Sequence, residues 1–354
     1  MDILILGNGF DLAHGLNTRY SDFLKYCQDK YNVMRYSGDK DSNFLYNNVW
    51  IKHFLNKKIS GDKWIDLEKE IYNVIAKLSK LLYFKNDVSY EQYNEIVFYL
   101  SKDYMELNFD EVIKYFHKQV YPNNNCYFVH IKDFVSFLYE QLRDFIKEFE
   151  KYLIEEKNNK IANIPKYKLR INKKCISLLN FNYTDICEEL YGINFSHNDY
   201  AINTKAVYVH GKIGDENNCN LVLGTHSFDN EQIPVVFNIF KKHHQRHKYR
   251  TIEQYQELLN ELKYPQKIYT PVFHIVGHSL DKTDHAILRH ILLAKEKSVI
   301  NIYYHNEEAL ARMQSNIDLI IGEDEVMSRV RFIRQDDPEQ GIFIPIEEKE
   351  LINS

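Results

Sequence analysis

Asp2-Ile3-Leu4-Ile5-Leu6-Gly7-Asn8-Gly9-Phe10-Asp11-Leu12-Ala13-His14-Gly15-Leu16 is the stretch on which the fold turns. A short continuous apolar run ending in Gly-Asn-Gly is the pattern of a strand buried on both faces that enters a tight turn. Two glycines let the backbone come close to a diphosphate, and the N-terminus of a following helix adds partial positive charge there. The third glycine of the dinucleotide fingerprint is missing, because Leu12 stands in its place. Alone, the turn therefore fits both a nucleotide site and a plain strand-to-helix connection. Glycine is scarce, 12 in 354 residues, so each one invites a backbone reason.

Working outward, residues 20 to 161 carry almost no glycine and show apolar and aromatic residues at helical spacing, as in Phe134, Phe137, Leu138, Leu142, Phe145 and Phe149. This segment reads as a large helical insertion, with Glu155 to Lys160 as the candidate joint. After Pro165 short apolar runs return: Cys175 to Phe181, Ala206 to Val209, Leu221 to Leu223, Val272 to Val276, Val299 to Tyr304, and Val330 to Ile333 as an edge. Strands alternating with helical patterns predict an α/β protein with a Rossmann-like, mainly parallel sheet and helices on both faces. The expected divisions are residues 1–20 for the first βα unit, 21–165 for the helical insertion, and 166–354 for the rest of the α/β domain. In such sheets ligands bind beyond the carboxyl ends of the strands, near the switch in strand order.

Composition narrows the classes. A 44% hydrophobic content supplies a full core, and a net charge of -5 offers no general basic surface, so nucleic acid is not the expected partner. Five widely spaced cysteines contain no C-x-x-C pair for zinc or redox work. The N-terminus lacks a basic region and a long apolar stretch, and no window reaches the ~20 apolar residues needed to span a bilayer. A cytoplasmic location without membrane contact is expected.

Three further motifs end apolar runs. Asn180-Phe181-Asn182-Tyr183-Thr184-Asp185 offers an asparagine able to hold a ribose hydroxyl or a water, and an aspartate that either assists or caps the next helix. His210-Gly211 closes Val207-Tyr208-Val209, where a histidine can act as a base near neutral pH or stand as a hydrogen-bonded structural residue. Gly277-His278-Ser279-Leu280-Asp281 resembles the start of a serine-hydrolase elbow, but Asp281 replaces the closing glycine. Ser279 there suits phosphate, ribose or a helix cap. His243, His244 and His247 among Lys241, Lys242, Arg246 and Lys248 lack a nearby third ligand for a metal, and read as a solvated helix.

With Tyr20-Ser21-Asp22-Phe23 and Trp64-Ile65-Asp66-Leu67-Glu68, these motifs closely resemble the AbiH-type bacteriophage abortive infection family over nearly the whole chain. More distantly, their order is similar to the sirtuin-like NAD-consuming fold. That second resemblance implies that Gly7 and Gly9, with Asn8, Phe10 and Asp11, hold a diphosphate, and that Asn182 positions the ribose or the water beside Tyr183 and Asp185. It also implies that His210 is the base next to Gly211, and that Gly277 and Ser279 line the nucleotide. NAD is then the substrate, cleaved at its nicotinamide-ribose bond, with no metal expected. Asn8 and the pair Phe10-Asp11 depart from the sirtuin pattern, and no cysteine pairs exist to build the sirtuin zinc module, which argues against deacetylation. A phage-derived trigger is a further expected partner, and whether the chain forms a homo-oligomer is left open by the sequence. Two alternatives stay open: a nucleotide sensor without turnover, and a metal-dependent nuclease or nucleotide hydrolase using Asp11, Asp185, Asp281 and Asp284.

Overall fold

A computed structural model of the chain describes residues 2–37, 48–59, 66–82, 87–89, 128–160, 167–171, 176–192, 198–199, 202–203, 205–214, 219–226, 228, 233–263 and 270–346. It contains one parallel sheet of β1 (Asp2–Leu6), β2 (Ile176–Asn180), β3 (Ala206–Tyr208), β4 (Val272–Val276), β5 (Val299–Tyr304) and β6 (Val330–Arg334). Their spatial order is β3-β2-β1-β4-β5-β6. This is the strand order of dinucleotide-binding folds, and the order reverses between β1 and β4.

The apolar run of β1 is explained by burial on both sides. Ile3 and Ile5 join one core with Leu179, Phe273, Ile275, Ile300 and Ile302, while Leu4 and Leu6 join a second with Ile176, Leu178, Val276 and Tyr303. Period-two alternation therefore sends successive side chains into different cores, leaving no polar position in between.

The described helices of the chain are α1 (Asn8–Ala13), α2 (Tyr20–Ser37), α3 (Val49–Ile59), α4 (Leu67–Leu82), α5 (Ile131–Lys160), α6 (Ile186–Tyr191), α7 (Lys242–Lys248), α8 (Thr251–Lys263), α9 (His285–Leu292), α10 (Glu307–Ile321) and α11 (Glu323–Arg329). Helices α8, α9 and α10 cover the first core through Leu258, Leu288 and Ile317. Helices α1 and α6 cover the second through Phe10, Ile186 and Tyr191. None of the described helices is long and apolar enough to cross a membrane.

The chain forms two compact units. One comprises Met1–Thr18, Leu153–Val222 and Arg246–Ser354 and contains the sheet; the other comprises Arg19–Tyr152 and Leu223–Gln245. The described residues of the second unit are mainly helical, with one antiparallel strand pair of Asp87–Ser89 and Phe128–His130, and its aromatic spacing packs Phe23 on Phe145 and Phe149, and Trp50 on Phe54. Asn48 caps α3, accepting from the amides of Trp50 and Ile51, and the Trp50 indole donates to the Leu138 carbonyl at 2.9 Å. Asp66 accepts from the Lys69 amide at the start of α4, while Trp64 and Ile65 of the same motif lie outside the described residues.

Two expectations are corrected. Glu155 to Lys160, read as a joint, continues α5 without interruption. Leu221 to Leu223 is buried but joins no strand. The Val222 amide donates to the His210 carbonyl at 2.8 Å and the Leu223 amide to Gln245 Oε1 at 3.1 Å, so a turn and a side-chain amide take the place of a ladder. A buried apolar run needs its backbone groups satisfied, and a sheet is only one way to do so.

His14 shows why the opening motif extends past its glycines. Its Nδ1 donates to the Phe10 carbonyl at 2.7 Å, which leaves Nε2 to accept from the Tyr191 hydroxyl at 2.5 Å. The ring thereby ties the end of α1 to α6, inside an aromatic cluster with Tyr167 and Phe343. Replacing it removes two buried hydrogen bonds and leaves the Tyr191 hydroxyl without this acceptor. We predict that His14→Ala lowers unfolding free energy by roughly 2–4 kcal/mol in denaturant titrations. An unchanged midpoint and slope would show that His14 does not pin these helices.

Candidate nucleotide site at the strand ends

The registers place Leu6, Asn180 and Val276 level with one another, so the segments leaving β1, β2 and β4 share one rim. At the switch point the two glycine turns press together. The Gly7 amide donates to the Val276 carbonyl at 3.0 Å and the Gly9 amide to the Gly277 carbonyl at 2.8 Å. A Cβ on Gly9 would stand 2.7 Å from Gly277 Cα, and one on Gly277 2.2 Å from the Phe10 nitrogen. Gly277 also has φ +64, a conformation that favours glycine. The glycines thus serve the close approach of two backbones. The amides of Gly7 and Gly9, expected to hold a diphosphate, are engaged in that contact. Asn8 is the exposed tip of the turn, and its Oδ1 accepts from the Thr18 hydroxyl at 2.5 Å.

Directly behind this turn lies Asp11, in the first turn of α1 and 1% exposed. Asn182 Nδ2 donates to its Oδ1 at 2.8 Å, and the Thr184 hydroxyl to its Oδ2 at 2.7 Å. Burial pushes the Asp11 carboxyl up to about 7, against the pull of hydrogen bonds from Thr184, Thr18 and Asn182. The bend that presents these donors is built by Asn180, whose Oδ1 accepts from the Asn182 amide and whose Nδ2 donates to the Thr184 carbonyl. Asn182 was expected to face ribose or water; here its amide nitrogen orients Asp11. Tyr183 donates its hydroxyl to the Val222 carbonyl at 3.0 Å. Asp185 occupies the N-cap position of α6 without a side-chain cap bond, and pairs instead with Lys157 at 2.5 Å and Lys212 at 3.2 Å. Burial works against its charge, but the hydrogen bonds and charges of those lysines hold its carboxyl below the usual range.

His210 belongs to a second constellation on the same sheet edge. Gly211, at φ +85, turns the chain so tightly that a Cβ would stand 2.4 Å from the Asn220 carbonyl oxygen. The His210 ring is turned inward, 4% exposed, with Nε2 at 3.2 Å from Asp284 Oδ1. Arg246 reaches both: its Nη2 lies 3.3 Å from Asp284 Oδ1 and 3.4 Å from His210 Nδ1. A guanidinium can only donate, so Nδ1 is the acceptor and the ring proton sits on Nε2, facing Asp284. His278 completes the group, with Nε2 at 4.0 Å from Asp284 Oδ2 and its ring packed edge-on against Phe181. The Leu280 amide donates to His278 Nδ1 at 2.9 Å, so that ring too carries its proton on Nε2. Leu280 has φ 58, an uncommon conformation for a branched side chain, in the turn that aims His278. Phe181 contacts both histidine rings and precedes Asn182, which joins the two constellations along one stretch of backbone.

Ser279 is exposed, and its carbonyl accepts from Asn316 Nδ2 at 3.0 Å. The four aspartates considered for a nuclease each have other partners. Asp11 is held by Asn182 and Thr184, Asp185 by lysines, Asp281 caps the Lys282 amide, and Asp284 meets His210 and Arg246. Among the described residues no group of three His, Cys, Asp or Glu side chains is arranged to hold a metal ion.

Arg246 was missed because α7 contains no apolar residue and reads as solvated. His243, His244, His247 and Lys248 are indeed exposed, but Lys242, Gln245 and Arg246 are buried. Their i, i+3, i+4 spacing is the face of a helix, and here each polar side chain on it has its own partner. Lys242 meets Glu68 at 2.6 Å, and Gln245 bonds the backbone of Leu223 in both directions.

A parallel sheet in this order, with buried polar groups gathered at its switch-point rim, defines a Rossmann-like α/β protein. The profile of the bacteriophage abortive infection AbiH family matches residues 3–305, and the chain belongs to that family. Its biological role is accordingly abortive infection in defence against bacteriophage. A search of curated proteins finds no match.

Asp11 gives the site a measurable pH signature. Its folded carboxyl titrates near 7, against 3.8 for the ordinary group, so below neutrality the folded state keeps a proton that the unfolded chain releases. Its contribution to stability is complete below about pH 4 and is lost as pH rises through about 7. We predict that Asp11→Asn, neutral throughout, removes up to about 1.4 kcal/mol per pH unit of downward slope in unfolding free energy across that window. Parallel pH profiles for the two proteins would refute the raised titration.

Proposed function

We propose that the chain is an abortive infection effector that binds NAD across the switch point between β1 and β4 and hydrolyses its nicotinamide-ribose bond. The observation that supports this reading is a histidine-carboxylate pair, His210 and Asp284 at 3.2 Å, on the carboxyl-end rim of the sheet, the side on which open α/β sheets generally bind their ligands. Expelling neutral nicotinamide from a cationic ring needs no acid. It needs a base and a positioned water, and the transition state resembles the oxocarbenium ion of glycoside hydrolysis. With its proton on Nε2, His210 has its basic lone pair on Nδ1. Asn182 is locked by its amide nitrogen to Asp11, a fixed orientation that suits a residue holding ribose or water through its carbonyl oxygen. Exposed Asn8 and Ser279, with half-buried Gly9 and Tyr183, are the rim residues for the rest of the nucleotide.

Arg246 occupies the basic nitrogen in a long contact of 3.4 Å. It suits an enzyme that stays silent until infection, when a phage-derived trigger releases the guanidinium. The same contact favours a second reading, in which nucleotide binding is sensed through Arg246 without turnover.

The test is NAD loss and nicotinamide release, by the purified protein and in infected cells. Wild type should deplete NAD, and Asn182→Ala and His210→Ala, assayed at a temperature where each remains folded, should each reduce the rate about 10²-fold or more. NAD binding by calorimetry without product would favour the sensor. Infected cells that keep their NAD while defence still requires His210 would overturn the hydrolase.

A further inference from the structure

Asp284 stands at the N-cap position of α9 but makes no side-chain cap bond, whereas nearby Asp281 caps the Lys282 amide at 2.9 Å. A cap is worth about 1 kcal/mol to a helix, and here the carboxylate is directed elsewhere. Three donors from three separate stretches face it: His210 Nε2 after β3, Arg246 Nη2 on α7, and His278 Nε2 after β4. All four side chains are buried. A buried carboxylate needs such partners, and each partner in turn needs an acceptor. Without Asp284 the proton-bearing nitrogens of two imidazoles and a guanidinium would face one another.

We infer that Asp284 is the positioning residue of His210: it holds the ring proton on Nε2 and thereby presents Nδ1 as the basic nitrogen. Among the described residues, the groups that face the ring include Asp284, Arg246, Phe181 and Tyr183, with His278 reaching it through the shared carboxylate. Asp284 is the acceptor that faces Nε2. Arg246 can engage only the nitrogen that lacks a proton, so the carboxylate also decides which ring atom the guanidinium meets. Sequence reading paired His210 with Asn182 as catalytic residues; the geometry makes Asp284 its direct partner.

The activity consequence rests on the NAD reading above, whereas the ring geometry does not. The test therefore uses histidine-15N-labelled protein, with His210→Gln identifying the His210 signals by their disappearance. In wild type, His210 should be the Nε2-protonated tautomer at neutral pH. In Asp284→Asn that preference should be lost, and the ring should titrate about one pH unit lower, because an opposing negative charge has been removed. Asp284→Glu, which retains the charge and guards against a merely misfolded variant, should restore both. In parallel, Asp284→Asn should slow NAD loss about 10²-fold and move the acid limb of its pH profile downward, with partial rescue in Asp284→Glu. An unchanged His210 tautomer and midpoint in Asp284→Asn would overturn the assignment whatever the NAD assay shows. Wild-type protein that leaves NAD intact would overturn the reaction, and the ring measurement would still decide the role of Asp284.

Discussion

Two glycine turns meeting at the switch point are the constraint on which the site depends. Gly9 and Gly277 can approach only because neither carries a side chain, and the hydrogen bonds between the turns draw the start of α1 against the end of β4. That contact places Asp11, one turn into α1, where the bend after β2 can surround it with donors. On the other side it places His278, whose Cα would be 2.5 Å from a Cβ on Gly7, beside Phe181. Widening this junction by a single methyl group would disturb both constellations together.

The two polar groups solve the problem of burial differently. Asp11 is fully buried with only neutral donors around it, and burial raises its carboxyl to about 7 in spite of their hydrogen bonds, so it needs no counter-ion. Asp284 sits beside a guanidinium, which holds it by charge, and faces the N–H groups of two imidazoles. The first arrangement stiffens the joint between α1 and the bend after β2. The second keeps a titratable ring in a defined tautomer, which is the state a proton-transfer site requires.

Much of the sheet was legible in residues 2–6, 272–276 and 299–304, because strands buried on both faces leave continuous apolar runs with punctuated ends. Leu221 to Leu223 shows the limit of that signal: burial is visible in the sequence, but the partner of the backbone is not. At the site, His210 could be noticed from its place at a strand end. Arg246 could not, since a short helix of seven polar residues gives no hint of which face turns inward. The pairing of Asp11 with Asn182 spans 171 positions and becomes visible only once β1 and β2 lie side by side. The second passage of the chain into the helical unit, Leu223–Gln245, likewise has no composition boundary to announce it.

The central strand raises a question of alignment. In a strand with one polar face, a slip by one residue would expose its apolar set, and that penalty keeps the register. β1 has apolar residues toward both cores, so a one-step slide would exchange isoleucines for leucines at little hydrophobic cost. Its alignment must come from its end. Gly7 and Gly9 fit against Gly277 in one position only, because moving Leu6 or Phe10 into that contact would drive a side chain into backbone. The turn is therefore an end stop: a nucleotide-binding signature in appearance, it is also the gauge that sets where the middle of the sheet begins.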